Sequence, residues 1–123
     1  MKSSHTLVKS FSYAFHGIKT AYHNEPHLKI HTFFAILALI IGIILGLSFI
    51  EWLLLAFTIF YVITLELLNT VLENVVNLVS PEINPYARVA KDVAAACVLL
   101  AAALSIVVGF ALFLPKIILL LQK

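Results

Sequence analysis

Long apolar segments dominate the pattern of hydrophobic and polar positions along the chain. Residues 33–50 are apolar except for one serine, and this length is close to the roughly 20 residues that a membrane-spanning helix needs. A second apolar segment begins with Trp52, whose ring is typical of a membrane interface, and a third covers residues 93–114. The pattern therefore predicts three membrane-spanning helices, over about residues 27–49, 52–79 and 87–114.

The segment that precedes these spans has the periodicity of an amphipathic helix. Its apolar residues recur at intervals that place them on one side of a helix. They are Leu7, Val8, Phe11, Ala14, Phe15, Ile18, Ala21 and Tyr22. We expect a helix over about residues 6–23 that lies on the membrane surface. It is not a secretory signal peptide, because it has neither a continuous apolar core nor a small-residue cleavage site.

The composition agrees with a lipid environment. Of the 123 residues, 63% are hydrophobic and 11% are charged, whereas soluble domains average about 45–50% and about 25%. These figures exclude a disordered chain and a secreted disulfide scaffold, and Cys97 is the single cysteine. The net charge of +2 is too small to indicate a nucleic-acid partner. We interpret residues 1–123 as one membrane-embedded domain of an all-α integral membrane protein.

The distribution of lysine and arginine predicts the orientation of the chain. Six of these cations lie in the N-terminal segment or at the second connection and the helix start beside it, none lies in the first connection, and two lie at the C-terminal end. In sequence order they are Lys2, Lys9, Lys19, Lys29, Arg88, Lys91, Lys116 and Lys123. Because cytoplasmic loops are enriched in lysine and arginine, we expect the N-terminus and the second connection in the cytoplasm, and the C-terminus outside.

The second predicted span carries a stripe of polar residues. At 100° per residue, Asn69, Glu73 and Asn77 all fall within about 60° of Glu66 around the helix. Glu66 and Glu73 are about 10 Å apart along the axis. Ionisable groups at membrane depth are costly and usually face a protein interior or an aqueous cavity, so the stripe indicates a functional site. The alternative is a hydrogen-bonded network that only stabilises a helix bundle.

Further charged residues are expected at the same cytoplasmic end. Arg88, Lys91 and Asp92 stand where the third span begins. Glu25 lies at the head of the first span. Together with Glu73 they would bring carboxylates and a cation into one pocket, which suits Mg²⁺ and a phosphate rather than zinc or copper. Ordinary snorkelling at the interface also explains Arg88, and the helix dipole also explains Glu25.

Three histidines recur at intervals of four residues, which is a spacing that a transition-metal site on a helix can use. They are His23, His27 and His31. Pro26 interrupts the helix between the first two, and no cysteine accompanies them. We therefore interpret them as solvated residues of the membrane interface. No glycine-rich phosphate loop or soluble kinase signature is present, so a phosphotransferase with this sequence does not have a soluble kinase fold.

The polar residues, in their order, resemble the signature of the prokaryotic diacylglycerol kinase family. The resemblance rests on the sequences ELLNTVLENVV at residues 66–76 and AKDVAAA at residues 90–96, with residues 14–18 and 24–25 upstream. Residues 50–53, 78–82 and 113–116 look like the undecaprenol kinase branch of the family. Two positions depart from the family pattern: Asn77 stands where an aspartate is frequent, and no arginine occurs near Thr6.

The resemblance implies a homotrimer of protomers with one surface helix and three spanning helices, which uses ATP and Mg²⁺ to phosphorylate a lipid alcohol. It implies that Glu66 is the catalytic base, that Asn69 supports the site, and that Glu25 and Glu73 bind the metal. The implied nucleotide contacts are Tyr13, Glu25, Glu73, Glu82, Asn84, Lys91 and Asp92. The implied contacts with the lipid substrate are Lys19, Glu66 and Ala95.

The expected reaction is therefore the phosphorylation of undecaprenol to undecaprenyl phosphate at the cytoplasmic face of the bacterial cytoplasmic membrane. Diacylglycerol is the alternative acceptor. A small ion- or proton-conducting membrane protein is a more distant hypothesis. The polar groups cluster in one half of the second span, whereas a conduction path needs polar groups across the whole membrane. A helix bundle with a purely structural role would leave the presence of Glu66, Glu73 and Lys91 unexplained.

Overall fold

The part of the chain that the structure describes folds into four α-helices joined by short connections. The computed structural model describes the backbone of residues 3–123 and the side chains of residues 6–123; Lys2, which enters the predicted charge asymmetry, lies outside the described residues. The helices are α1 (Ser3–Asn24), α2 (Pro26–Leu45), α3 (Phe49–Val79) and α4 (Pro85–Leu121). By length and composition, α2, α3 and α4 can each cross a membrane. This confirms the predicted all-helical fold with three such helices.

Glu25 separates α1 from α2. Its backbone is extended, with φ −113° and ψ 105°, because the ring of a following proline disfavours helical backbone at the residue before it. Pro26 occupies the first turn of α2, where its missing N–H removes no helical hydrogen bond. The hydroxyl groups of Tyr22 in α1 and Thr32 in α2 share a hydrogen bond. The two helices are therefore separate but remain attached near their junction.

The turn between α2 and α3 differs from the predicted boundaries. Gly46 has φ 74°, a left-handed conformation that glycine adopts without a Cβ clash, and it ends α2 before residue 49. The Ser48 hydroxyl accepts a hydrogen bond from the Glu51 N–H at 3.2 Å, and the Glu51 carboxylate accepts one from the Ser48 N–H at 3.0 Å. This reciprocal capping box starts α3 at Phe49 rather than at residue 52. Glu51 therefore begins the helix instead of only interrupting the apolar sequence.

The C-terminal end of α4 is longer than expected. The helix continues through Pro115 to Leu121, beyond the predicted end at residue 114. Proline is tolerated inside membrane helices when neighbouring groups accommodate the freed backbone carbonyl. Lys116 Nζ lies 3.2 Å from Glu51 Oε1. This ion pair ties the last turns of α4 to the first turn of α3.

The helix bundle has a small core. The helices α3 and α4 form the most extensive pair, α2 packs against both, and α1 contacts α2 and α3. Leu47, Leu55 and Leu112 form the buried apolar cluster. Most other large apolar side chains are exposed, as expected for a surface that faces lipid or other protein copies. The placement of α1 on the membrane surface and the homotrimer stay predictions.

The first two spanning helices approach closely at Gly42. A Cβ atom at Gly42 would lie 2.9 Å from Leu47 Cδ1 and 2.9 Å from Trp52 Cη2. Trp52, predicted as an interface anchor, is half-buried and packs against the core cluster. A methyl group at this position would therefore force the Leu47 or Trp52 side chain to shift.

We expect Gly42→Ala to lower the free energy of unfolding by about 1–3 kcal/mol relative to Gly109→Ala, because the added methyl overpacks the contact. Gly109 is the matched control: it is also helical, and a Cβ there meets nothing within 4 Å. Both substitutions gain the same helix propensity, so the difference isolates the clash. Unfolding by sodium dodecyl sulfate in mixed micelles measures it. Equal stability of the two variants would contradict the close approach.

Candidate active site

The predicted polar stripe lies in the C-terminal half of α3. In the orientation that we expect for the chain, this is the cytoplasmic half. Glu66, Asn69, Glu73 and Asn77 all belong to this one continuous helix, so their side chains share a face. Exposure increases along the stripe. Glu66 is buried, Asn69 and Glu73 are half-buried, and Asn77 is exposed. The stripe therefore runs from a dry end to an open end.

The buried carboxylate of Glu66 meets a histidine from the neighbouring helix. His31 Nε2 of α2 lies 3.0 Å from Glu66 Oε1, and their side chains are 23% and 5% exposed. His31 was interpreted as a solvated interfacial residue, and the structure corrects this, since helix packing turns its ring toward α3. His23 and His27 are exposed. Within the described side chains, no three His, Cys, Asp or Glu residues converge as metal ligands.

Half-way along the stripe, an amide and a carboxylate are paired. Asn69 Nδ2 donates to Glu73 Oε1 at 3.3 Å. The other amide atom, Asn69 Oδ1, is buried and accepts no hydrogen bond from the described side chains or backbone. A buried acceptor without a donor is uncommon in proteins. The middle of the stripe therefore offers oxygen atoms whose bonding capacity is not used within the described residues.

At the open end of the stripe, α4 contributes a lysine. Lys91 Nζ donates to Asn77 Oδ1 of α3 at 2.6 Å. Its partner is therefore the amide rather than the Glu73 carboxylate. Asp92 is exposed and accepts from Arg88 Nε at 3.2 and 3.3 Å, one turn earlier on the same helix. Lys91 thus points to α3, whereas Asp92 points along α4 to solvent.

The remaining predicted contacts are dispersed in the single chain. The side chains of Tyr13, Lys19, Glu82, Asn84 and Ala95 are exposed, and Glu25 is half-buried at the junction of α1 and α2. Asn84 caps α4, since its Oδ1 accepts from the Tyr86 N–H at 2.8 Å. Among residues 6–123, no hydrogen bond or ion pair joins Glu25 to Glu73 or Lys91. One protomer therefore brings together Glu66, Asn69, Glu73, Asn77 and Lys91, and leaves the others apart.

Two cavities flank α3. One of about 460 Å³ lies between α2, α3 and α4, and its wall is apolar apart from His31, Thr58 and Ser105. Another of about 680 Å³ lies between α3 and α4 and borders Asn69 and Cys97. Neither cavity follows from the sequence pattern, and neither does the contact of His31 with Glu66. The signal for His31 was its position inside a spanning helix, where an ionisable residue is by default a functional candidate.

Comparison with known proteins identifies the family. Residues 12–113 match the sequence profile described as prokaryotic diacylglycerol kinase, which covers most of the chain. The chain belongs to the prokaryotic diacylglycerol kinase family. The family predicted from the motif is confirmed, and the chain is a lipid kinase with ATP as co-substrate and with several membrane-spanning helices. This membership decides against a conducting channel and against a bundle without chemistry.

The similar proteins are named for two different lipid acceptors, undecaprenol and diacylglycerol. The undecaprenol kinase of Bacillus subtilis (strain 168) is 38% identical over 109 residues, which is 89% of each chain. A diacylglycerol kinase of Synechocystis is 41% identical over 113 residues, which is 91% of this chain and 65% of the relative. A diacylglycerol kinase of Haemophilus influenzae is 33% identical over 95 residues, or 77% and 80% of the two chains. The family is therefore established, whereas identity alone does not choose the lipid.

Proposed function

We propose that this lipid kinase transfers the γ-phosphoryl group of ATP to undecaprenol at the cytoplasmic face of the bacterial cytoplasmic membrane. The observation that carries the proposal is the buried Glu66 carboxylate, which lies in a helix able to span a membrane and is seven residues from Glu73. Coverage of 89% in both directions with an undecaprenol kinase supports this acceptor. Diacylglycerol is the second candidate, because a diacylglycerol kinase is 41% identical to this chain.

Glu66 is the proposed general base. The hydroxyl oxygen of the lipid attacks the γ-phosphorus of ATP, the bond from that phosphorus to ADP breaks, and the hydroxyl proton passes to the Glu66 carboxylate. The position of Glu66 in a membrane-spanning helix favours this role, because the hydroxyl group of a lipid substrate reaches the site laterally from the bilayer. Phosphoryl transfer depends mainly on positioning and charge neutralisation, and proton removal by a positioned base contributes about 10²–10⁴-fold in rate.

Two observations fit a magnesium ion beside Glu73. Asn69 Oδ1 is buried and lacks a donor, and the Glu73 carboxylate keeps its Oε2 outside the hydrogen bond with Asn69. Carboxylate and carbonyl oxygens are the ligands that Mg²⁺ prefers, usually one or two carboxylates together with substrate phosphates. Glu73 and Glu25 would hold the ion, which when bound would neutralise phosphate charge.

Lys91 is the proposed cationic contact of the nucleotide phosphates. Its hydrogen bond to Asn77 orients the ammonium group without cancelling its charge, because an amide is neutral. An aspartate at position 77 would instead compensate that charge. Tyr13, Glu82, Asn84 and Asp92 are the further proposed nucleotide contacts.

The proposal includes a homotrimer and lipid contacts at Lys19 and Ala95. Both side chains are exposed in the single chain, so lipid or a neighbouring copy has access to them. The exposed apolar surface of α2, α3 and α4 is compatible with helix packing between copies inside the membrane.

We expect the purified protein, in mixed micelles with ATP and Mg²⁺, to phosphorylate undecaprenol faster than diacylglycerol. The measurement is transfer of labelled γ-phosphate to each lipid, compared by kcat/KM. Removal of divalent metal with EDTA should stop both reactions, because the phosphate charge is then not neutralised. A preference for diacylglycerol would move the assignment to the second candidate.

We expect Glu66→Gln to keep ATP binding and assembly but to lower kcat by at least about 10²-fold, because the amide cannot accept the hydroxyl proton. The KM for ATP should change little. Glu51→Gln is the control, since it changes a carboxylate at the opposite end of the same helix, and its kcat should stay close to that of the wild type. Normal turnover by folded Glu66→Gln would rule out the base.

We expect a cysteine at Asn84, in a Cys97→Ser background, to react with a membrane-impermeant maleimide only from the cytoplasmic side. The reason is the predicted excess of lysine and arginine on that side of the membrane. A cysteine at the exposed Phe49, the first residue of α3 after the first connection, is the opposite control and should react only from outside. Labelling of position 84 in intact cells would contradict the orientation and the cytoplasmic site.

A further inference from the structure

We propose that His31 is a positioning and proton-relay residue for Glu66: it holds the carboxylate and carries the transferred proton from it to water. This inference rests on the proposed function, in which Glu66 removes the proton of a lipid hydroxyl. It begins from the contact between His31 Nε2 and Glu66 Oε1 at 3.0 Å. The motif that carries the family resemblance does not include His31.

The contact fixes the carboxylate from a second helix. Glu66 belongs to α3 and His31 to α2. Among the described residues, His31 is the one group that makes a hydrogen-bond or ion-pair contact with the Glu66 carboxylate, since Thr70 binds its backbone carbonyl. A buried carboxylate without a partner is strongly disfavoured. The imidazole therefore determines which carboxylate oxygen faces α2 and which stays available to a substrate.

The chemistry requires a way out for one proton in each turnover. When the lipid oxygen forms its bond to phosphorus, its O–H bond breaks and the proton goes to Glu66, while the electron pair of the broken P–O bond stays on ADP. Glu66 must release this proton before it can act again. Its side chain is only 5% exposed, whereas that of His31 is 23% exposed. The histidine is therefore the more accessible of the two groups.

A histidine suits this transfer because its ordinary pKa lies near physiological pH. While Glu66 is ionised, the neutral ring donates its Nε2–H to the carboxylate. After Glu66 has taken the lipid proton, exchange with water moves the ring proton from Nε2 to Nδ1. Nε2 then accepts the proton from Glu66, and the ring becomes an imidazolium that carries the exchangeable proton at Nδ1. It then loses one proton to water and returns to the neutral form. The sum is one proton from the lipid hydroxyl to solvent in each cycle, with Glu66 and His31 both restored.

The groups around His31 leave Glu66 as its charged contact. From α1, Tyr22 contacts α2 next to His31, and its hydroxyl is bonded to Thr32. The cavity residues that α4 contributes beside His31, such as Ser105, are not titratable. Lys91 of α4 is bonded to Asn77. A pH dependence that follows His31 can therefore be attributed to the His31–Glu66 pair.

The cavity at His31 makes the inference testable by chemical rescue. The ring borders a space of about 460 Å³, so His31→Ala extends an existing cavity in which free imidazole fits. The assay is phosphoryl transfer by the purified full-length protein in mixed micelles, with ATP, Mg²⁺ and either undecaprenol or diacylglycerol. His27→Ala is the matched control, because His27 is one turn earlier on α2, is exposed, and has no partner among the described side chains.

We expect His31→Ala to lower kcat by at least about 10-fold with little change in the KM for ATP. Added imidazole should raise the kcat of His31→Ala several-fold. The effect should increase as the pH rises through the pKa of free imidazole, because the neutral base is the active form. His31→Gln should also be slow but should not respond to imidazole, since its side chain fills the space. The kcat of both variants should depend on pH differently from that of the wild type. His27→Ala should behave as the wild type.

A wild-type kcat and pH profile in His31→Ala would overturn the inference and leave the proposed function intact. A reduced kcat that neither imidazole nor pH alters would assign His31 a purely structural role and would also overturn the relay. If His31→Ala does not assemble, the pH profile of His31→Gln decides in the same way. A wild-type protein that phosphorylates neither lipid would overturn the proposed function itself, and the relay with it.

Discussion

A carboxylate that is held away from water needs a partner inside the protein, and the rest of the site depends on how Glu66 obtains one. Its side chain is 5% exposed and meets the imidazole of His31 from the next helix. Loss of one partner of such a buried pair costs about 3–5 kcal/mol, so α2 and α3 must pack at the depth where the two groups meet. The extended Glu25 and the following Pro26 set where α2 begins. They therefore also determine which part of α3 lies beside His31.

Much of the architecture was readable from residue order alone. The lengths of the apolar segments predict the spanning helices, because the thickness of the bilayer determines how many residues are needed to cross it. The shared face of Glu66, Asn69 and Glu73 follows from helical periodicity, since all three lie within one uninterrupted helix. Relations inside a single helix are predictable because its geometry is nearly constant. The candidate residues on α3 were identified for that reason.

Relations between helices were not predictable in the same way. The contact of Lys91 with Asn77 joins α4 to α3, and it depends on helix rotation and on the length of the connection, which periodicity does not give. The same holds for His31. The early start of α3 had a local signal, since Ser48 followed by Glu51 at three residues is a capping box. A single charge after an apolar segment also fits an interruption of that segment, so Glu51 alone does not distinguish a cap from a break.

The hydrogen bond from Lys91 to Asn77 has an electrostatic consequence at the mouth of the bundle. A neutral amide orients the ammonium group but leaves its field intact. Polyphosphate anions therefore feel this charge at a distance of about 10 Å at 0.1 M salt and about 3 Å at 1 M. At the proposed nucleotide site, capture of the anion from solution would therefore depend on ionic strength, while the buried Glu66 carboxylate is shielded from dissolved ions. The two ends of one helical face respond differently to salt.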